Sequence, residues 1–133
     1  MTVTESLEPQ VIWRHFETLA SIPRPSKEEG RVLEYIKTFA KRNNLDWKED
    51  SFGNLCVKRP GSAGGENAPT VVIQGHVDMV CEKEKGVVHD FSKDSIKLEI
   101  KDDWLTAVGT TLGADNGMLS GKAICMITSA FAN

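Results

Sequence analysis

The chain predicts an α/β fold with helices packed on a mixed sheet, and three patterns carry that reading. Apolar residues recur at helical spacing twice before residue 45. The run Val71-Val72-Ile73-Gln74 is rich in β-formers and stops at Gly75, as a strand does at a turn. Later, Ile96 to Ile100 and Trp104 to Ala107 read as two short strands folded about Asp102-Asp103. With 133 residues there is room for one domain and a modest core.

Taken in order, the elements begin at Pro9, which suits the first turn of a helix running to about Ala20. Val11, Ile12, Phe16 and Leu19 form its apolar stripe. Ile22-Pro23-Arg24-Pro25 breaks that helix, because proline removes a donor and pushes the residue before it out of the α region. Ser26-Lys27-Glu28-Glu29 reads as a capping box for a second helix, with Val32, Leu33, Ile36, Phe39 and Ala40 at helical spacing. Asn43-Asn44 ends it. Trp47 to Glu49 and Leu55 to Lys58 predict two strands joined around Asp50 to Asn54. Residues 60–69 are Gly-rich and polar, a surface loop without the Gly-Lys-Ser/Thr ending of a phosphate-binding loop. Thr70 to Gln74 is expected to be the central strand. Residues 118–131 are apolar enough for a buried helix or strand. No internal repeat or low-complexity segment is visible.

Composition narrows the partners. A hydrophobic share of 40% is ordinary for a globular chain, and a formal charge of −3 with scattered Lys and Arg points to neither nucleic acid nor a membrane. No stretch is long and apolar enough to span a bilayer, and the polar, acidic start is unlike a signal peptide. Cys56, Cys81 and Cys125 are odd in number and lack Cys-x-x-Cys spacing, so they read as reduced thiols of a cytoplasmic protein.

Two motifs carry chemistry. His76 and Asp78 lie two apart after the Val71–Gly75 run, so in an extended chain both project to one side. A carboxylate there can orient an imidazole and raise its basicity, an arrangement common behind metal-binding histidines. Asp115 sits between glycines in Gly113-Ala114-Asp115-Asn116-Gly117, at the start of the last apolar segment. Each motif has a plain alternative, since His-x-Asp occurs often by chance and an Asp between glycines is usually a turn or N-cap. His15 reads as a helix-surface histidine, His89 as a residue of a polar connection, and Cys81 as a buried structural thiol. Met118 and Met126 read as packing residues. No Gly-x-Ser-x-Gly elbow supports a serine nucleophile.

Together, VVIQGHVDMVCEK, DFSKDSI and IKDDWLTAVGTTLGADNG resemble the di-zinc metallopeptidases of the M20 family, and within it the aminoacyl-histidine dipeptidases. HFETLASIPRPSKEEGRVLEYIKTFAKRNNL and DSFGNLCVKRPGSAGGE are similar to the opening helices and first strands of those enzymes. The resemblance covers about Leu7 to Gly117. It implies that residues 1–133 are the N-terminal segment of a metallopeptidase catalytic domain. It also implies zinc-dependent hydrolysis of dipeptides, Xaa-His types foremost, by metal-activated water. His76 matches a zinc ligand, Asp78 the carboxylate that holds that imidazole, and Asp115 the aspartate that bridges two metals. The implied cofactor is Zn2+, two per complete site, with other divalent metals open. The implied partner is a dipeptide substrate, with a homodimer conceivable in a full-length parent.

The resemblance also has an end. The family's Glu-Glu pair, which supplies the general base and a ligand, lies beyond the bridging aspartate, as do a further acidic ligand and a distant histidine. Glu28-Glu29 is the chain's Glu-Glu and stands upstream, in the wrong place. Met118 to Lys122 departs from the family's small-residue continuation, which predicts a truncated chain, with an altered frame after Gly117 as one source of the change. Such a chain is expected to be inactive alone. The rival readings are a non-catalytic fragment that pairs with a relative through sheet edges, a degenerate product, or another M20-type aminopeptidase or deacylase.

Overall fold

A computed structural model describes residues 3–128, with side chains through residue 124. Among the described residues, three helices and two small antiparallel sheets make up a mixed α/β segment. The helices are α1 (Gln10–Ser21), α2 (Gly30–Arg42) and α3 (Ala114–Thr128). One hairpin pairs β1 (Asp46–Glu49) with β2 (Leu55–Lys58), and the other pairs β3 (Leu98–Lys101) with β4 (Trp104–Ala107).

Helix α1 lies between two apolar clusters. On one side Phe16 and Ala20 pack with Met79, Ile96 and Leu98. On the other, Leu19 meets Val32 of α2 and Ile124 of α3. Val11 does not join the predicted stripe: it is exposed, because the buried arc is centred on Phe16, Leu19 and Ala20. Helix α3 lies directly against α1, where Gly121 approaches the backbone of Ile12 and Phe16. Met118 packs on the Phe16 cluster. The side chains of Cys125 and Met126 fall outside the described residues, while Cys56 and Cys81 are free thiols.

The hairpins follow the sequence closely. In the first, Asp46 stands opposite Lys58 and Glu49 opposite Leu55. Its turn is held by Asp50, whose side chain accepts the amides of Phe52 and Asn54, both at 2.9 Å. In the second, Asp102 takes a φ of 53° in a two-residue connection, as a tight hairpin turn requires.

Two further expectations fail. The capping box at Ser26 does not form: α2 starts at Gly30 with no side-chain cap bond, and Glu29 instead accepts the Lys27 amide at 2.7 Å. Ser26 is drawn away because its hydroxyl donates to Asp78. Residues 70–74 are not a central strand either. They pair with no strand among the described residues, and Val71 and Val72 are 83% and 81% exposed. β-Formers make a strand only where a neighbour completes the ladder and covers their faces.

Candidate metal centre

The site forms where the chain leaves residues 70–75 and crosses the break between α1 and α2. Pro23 and Pro25 keep that break extended, which lets the Arg24 carbonyl accept the Met79 amide at 3.1 Å. Pro25 and Met79 thereby form a parallel bridge. From this anchor the two-residue alternation runs back through the motif. Met79 enters the Phe16 cluster and Val77 packs on the Leu19 cluster, while His76 and Asp78 face out together.

His76 Nδ1 lies 2.9 Å from Asp78 Oδ1 and 3.2 Å from the Asp78 carbonyl oxygen. Ser26 donates its hydroxyl to the other oxygen of that carboxylate. Asp78 is therefore occupied on both sides. The Ser26 bond leads in holding its pKa below the usual carboxylate range, burial opposes, and His76 adds to the lowering.

Asp115 comes to the same place from the entrance of α3. Its φ of −92° and ψ of 105° are not helical, so the carboxylate swings out of the first turn. Its Oδ1 lies 3.2 Å from His76 Nε2. Ser120, farther along α3, donates to the His76 carbonyl at 3.2 Å and ties helix to loop. Burial is the largest single influence on His76 and lowers its pKa, but the hydrogen bonds and charges of Asp78 and Asp115 together outweigh it, and the net shift is upward.

This geometry decides whether a cation suits the residues present. If Nδ1–H donates to Asp78, a neutral imidazole turns the Nε2 lone pair toward the Asp115 oxygen. Two acceptors at 3.2 Å repel unless a proton or a cation serves both. Two corners of a tetrahedron with arms of about 2.1 Å are about 3.4 Å apart, close to the separation found. Half-exposed His76 and open Asp115, whose side chain is 96% exposed, leave an approach from solvent. The pair fits one edge of a metal site. Among the described residues no group of three or more His, Cys, Asp or Glu converges, so the edge is not a closed cage.

The remaining candidates fall elsewhere. His89 stacks edge-on against Phe91 at 4.5 Å between ring centroids. His15 meets Tyr35 and Phe39 between α1 and α2. Cys81 turns its thiol to the Met79 carbonyl, and burial pushes its pKa up, away from the thiolate a metal would need. A concavity lined by Glu82, Lys83, Glu84 and residues 109–111 includes none of the site residues.

Sequence reasoning overlooked Ser26 and Arg24. Ser26 was spoken for by the cap pattern. Arg24 had one available signal, a cation set between two prolines in an otherwise apolar turn. It is 1% exposed, and its guanidinium donates to the carbonyls of Val77 at 2.9 Å, Asp78 at 3.2 Å and Gly113 at 2.8 Å.

Comparison with known proteins supports the resemblance read from the motifs and corrects its end: both matches take in 96% of the chain and so continue past Gly117 into α3, which removes the ground for an altered frame there. The chain is 42% identical over 127 residues to the cytosol non-specific dipeptidase of Escherichia coli (strain K12), covering 96% of this chain and 26% of that protein. Its structure is similar to that of the aminoacylhistidine dipeptidase from Vibrio alginolyticus, with a TM-score of 0.92 and 39% identity over 96% of this chain and 26% of the other. The chain thus spans about a quarter of the length of each. No family model matches the sequence. No helix among the described residues is long and apolar enough to cross a membrane.

Proposed function

We propose that this chain is the ligand-bearing opening segment of a cytoplasmic metallodipeptidase of the M20 type, acting on Xaa-His dipeptides. The observation that carries the reading is the convergence of His76 Nε2 and Asp115 Oδ1 at 3.2 Å, with Nδ1 held by Asp78. His76 and Asp115 would hold divalent metal, zinc first, Asp115 being the residue that the resemblance assigns to both ions. A bound pair would polarise the scissile carbonyl and lower the pKa of water so that hydroxide can attack it.

The chain's own residues prepare that chemistry. Asp78 fixes the imidazole tautomer so that Nε2 is the free donor. Ser26 fixes Asp78. The anionic Asp115 offsets the repulsion between two cations drawn to one place. General base and remaining ligands would come from polypeptide outside these 133 residues, so this polypeptide alone should hydrolyse no dipeptide. A homodimer of the longer parent fits the same reading, and neither nucleic acid nor membrane is a partner.

Replacing the matching quarter of the Escherichia coli relative with this chain tests the proposal. The chimera should cleave Xaa-His dipeptides, lose activity on chelation and regain it with Zn2+. His76→Ala or Asp115→Asn should cost at least about 100-fold, the upper range seen for groups supporting a metal site. An active chimera indifferent to His76 would falsify the assignment.

One observation favours a second reading, a fragment that pairs in trans. Val71 and Val72 expose large apolar surface on a segment with unpaired backbone, a ready edge for strand addition. Mixed with the remaining three-quarters of the relative, the chain should then co-purify in fixed stoichiometry. A chain that stays monomeric in that mixture rules this reading out.

A further inference from the structure

We propose that Arg24 is a positioning residue that sets the distance between the His76 loop and the Asp115 loop; this rests on the metal reading above. Its guanidinium donates to backbone carbonyls of both loops. It donates through Nη1 to Val77 and Asp78, the residues just after His76, and through Nη2 to Gly113, two before Asp115. A planar fork can span two chain segments in fixed geometry, which a point-charge ammonium cannot.

The surroundings are built for that fork. An ideal Cβ at Gly113 would lie 2.7 Å from Nη2, and one at Gly117 would lie 2.9 Å from it. Both glycines that bracket Asp115 therefore leave space for the guanidinium as well as for the turn. Burying a cation is costly, and no carboxylate of the described residues forms an ion pair with Arg24. Its charge is met by carbonyl oxygens of the two loops, with the Asp78 carboxylate attracting it from beyond ion-pair distance, and Nε has no partner among the described residues. An apolar side chain would fill this volume more cheaply if packing were the whole purpose. Arg24 hydrogen-bonds neither His76 nor Asp115 through their side chains, so it acts through the backbone of the two loops, with its attraction for Asp78 drawing the same way.

The test follows the imidazole signals of His15, His76 and His89 by NMR in the 133-residue chain as Co2+ alone is added. In the unsubstituted chain His76 should broaden first. His15, which packs on Phe39 at 5.4 Å between ring centroids, reports the α1–α2 contact; it should stay sharp and move only by the through-space shift that bound Co2+ induces. In Arg24→Met, a long side chain without charge, His76 should need roughly tenfold more Co2+ or above, the lower range for groups that support metal ligands. His15 should be unchanged there, and Arg24→Lys should recover only part of the response. An Arg24→Met chain with unaltered Co2+ dependence overturns the proposal. So does one in which the His15 signature collapses together with that of His76, since Arg24 would then be a packing residue. Absence of any Co2+ response at His76 in the unsubstituted chain overturns the metal reading itself, and this inference with it.

Discussion

Substituting alanine at Gly113 separates two reasons for glycine that coincide there, conformation and space. Gly113 has a φ of 71°, and a Cβ would lie 2.7 Å from Arg24 Nη2, 3.0 Å from Met79 Sδ and 3.2 Å from Met79 Cβ. Gly53, in the β1–β2 turn, has a φ of 83° with nothing within 4 Å of such a Cβ. Gly53→Ala therefore carries the left-handed penalty of about 1–2 kcal/mol, offset by about 0.4–1 kcal/mol from the stiffer unfolded chain. Gly113→Ala carries both of these and an overpacking cost of about 1–3 kcal/mol, because Arg24 is held at three carbonyls and cannot swing aside. With a urea dependence of about 2 kcal/mol per M, the Gly113→Ala midpoint should fall about 0.5–1.5 M below that of Gly53→Ala. Urea unfolding followed by circular dichroism reads this directly. In an Arg24→Ala background the gap should narrow, since one of the colliding side chains is gone. Equal midpoints for the two single variants would refute the argument, and with it the claim that the guanidinium fills the space beside Gly113.

Further outcomes follow from other parts of the fold. Asp90 accepts the amide of Ser92 at 3.0 Å and its hydroxyl at 2.7 Å, and Lys93 lies 3.1 Å away; the Ser92 and Lys93 bonds bring its pKa from 3.8 down to about 2. A depressed carboxylate stabilises the fold above the unfolded value and loses that effect as pH falls from 3.8 through about 2, so its carboxyl carbon should titrate near 2 by NMR. A midpoint near 4 would dismiss the loop geometry. Burial lowers the His15 pKa from 6.5, so the folded state binds fewer protons, and stability should decline as pH falls through 6.5 toward the folded value. His15→Gln should flatten that part of a stability profile, and an unchanged slope counts against a buried ring. Phe16 is fully buried at the centre of its cluster, and Phe16→Ala should cost about 3–5 kcal/mol in chemical unfolding. Less than about 1 kcal/mol would mean that α1 does not organise the core.

Local chemistry made much of this molecule legible. Apolar spacing marks α1 and α2, proline marks the break between them, and short β-rich runs around Asp-Asn and Asp-Asp turns mark both hairpins. The motif residues were legible as well. Alternation after Gly75 predicts that His76 and Asp78 share a side, and they meet at 2.9 Å. The Gly-Ala-Asp-Asn-Gly turn predicts Asp115 at the start of the last apolar segment, helix or strand, and α3 begins there. These features depend on neighbours within a few residues, where backbone sterics and periodicity dominate.

What local pattern could not decide were contests between distant groups. Ser26 has the spacing of a capping residue, but it is bonded to an Asp78 carboxylate that pattern reading cannot place beside it. Arg24 reads as part of a helix-breaking turn until two remote loops fold over it and turn their carbonyls inward. Val71 and Val72 have the composition of strand residues, yet a strand is defined by its neighbour, and none of the described residues supplies one. Residue types and their spacing limit which side chains can bind, cap or pair. Tertiary structure alone decided which did, because a hydroxyl, a guanidinium or a strand edge goes to whichever distant partner the folded chain brings within reach.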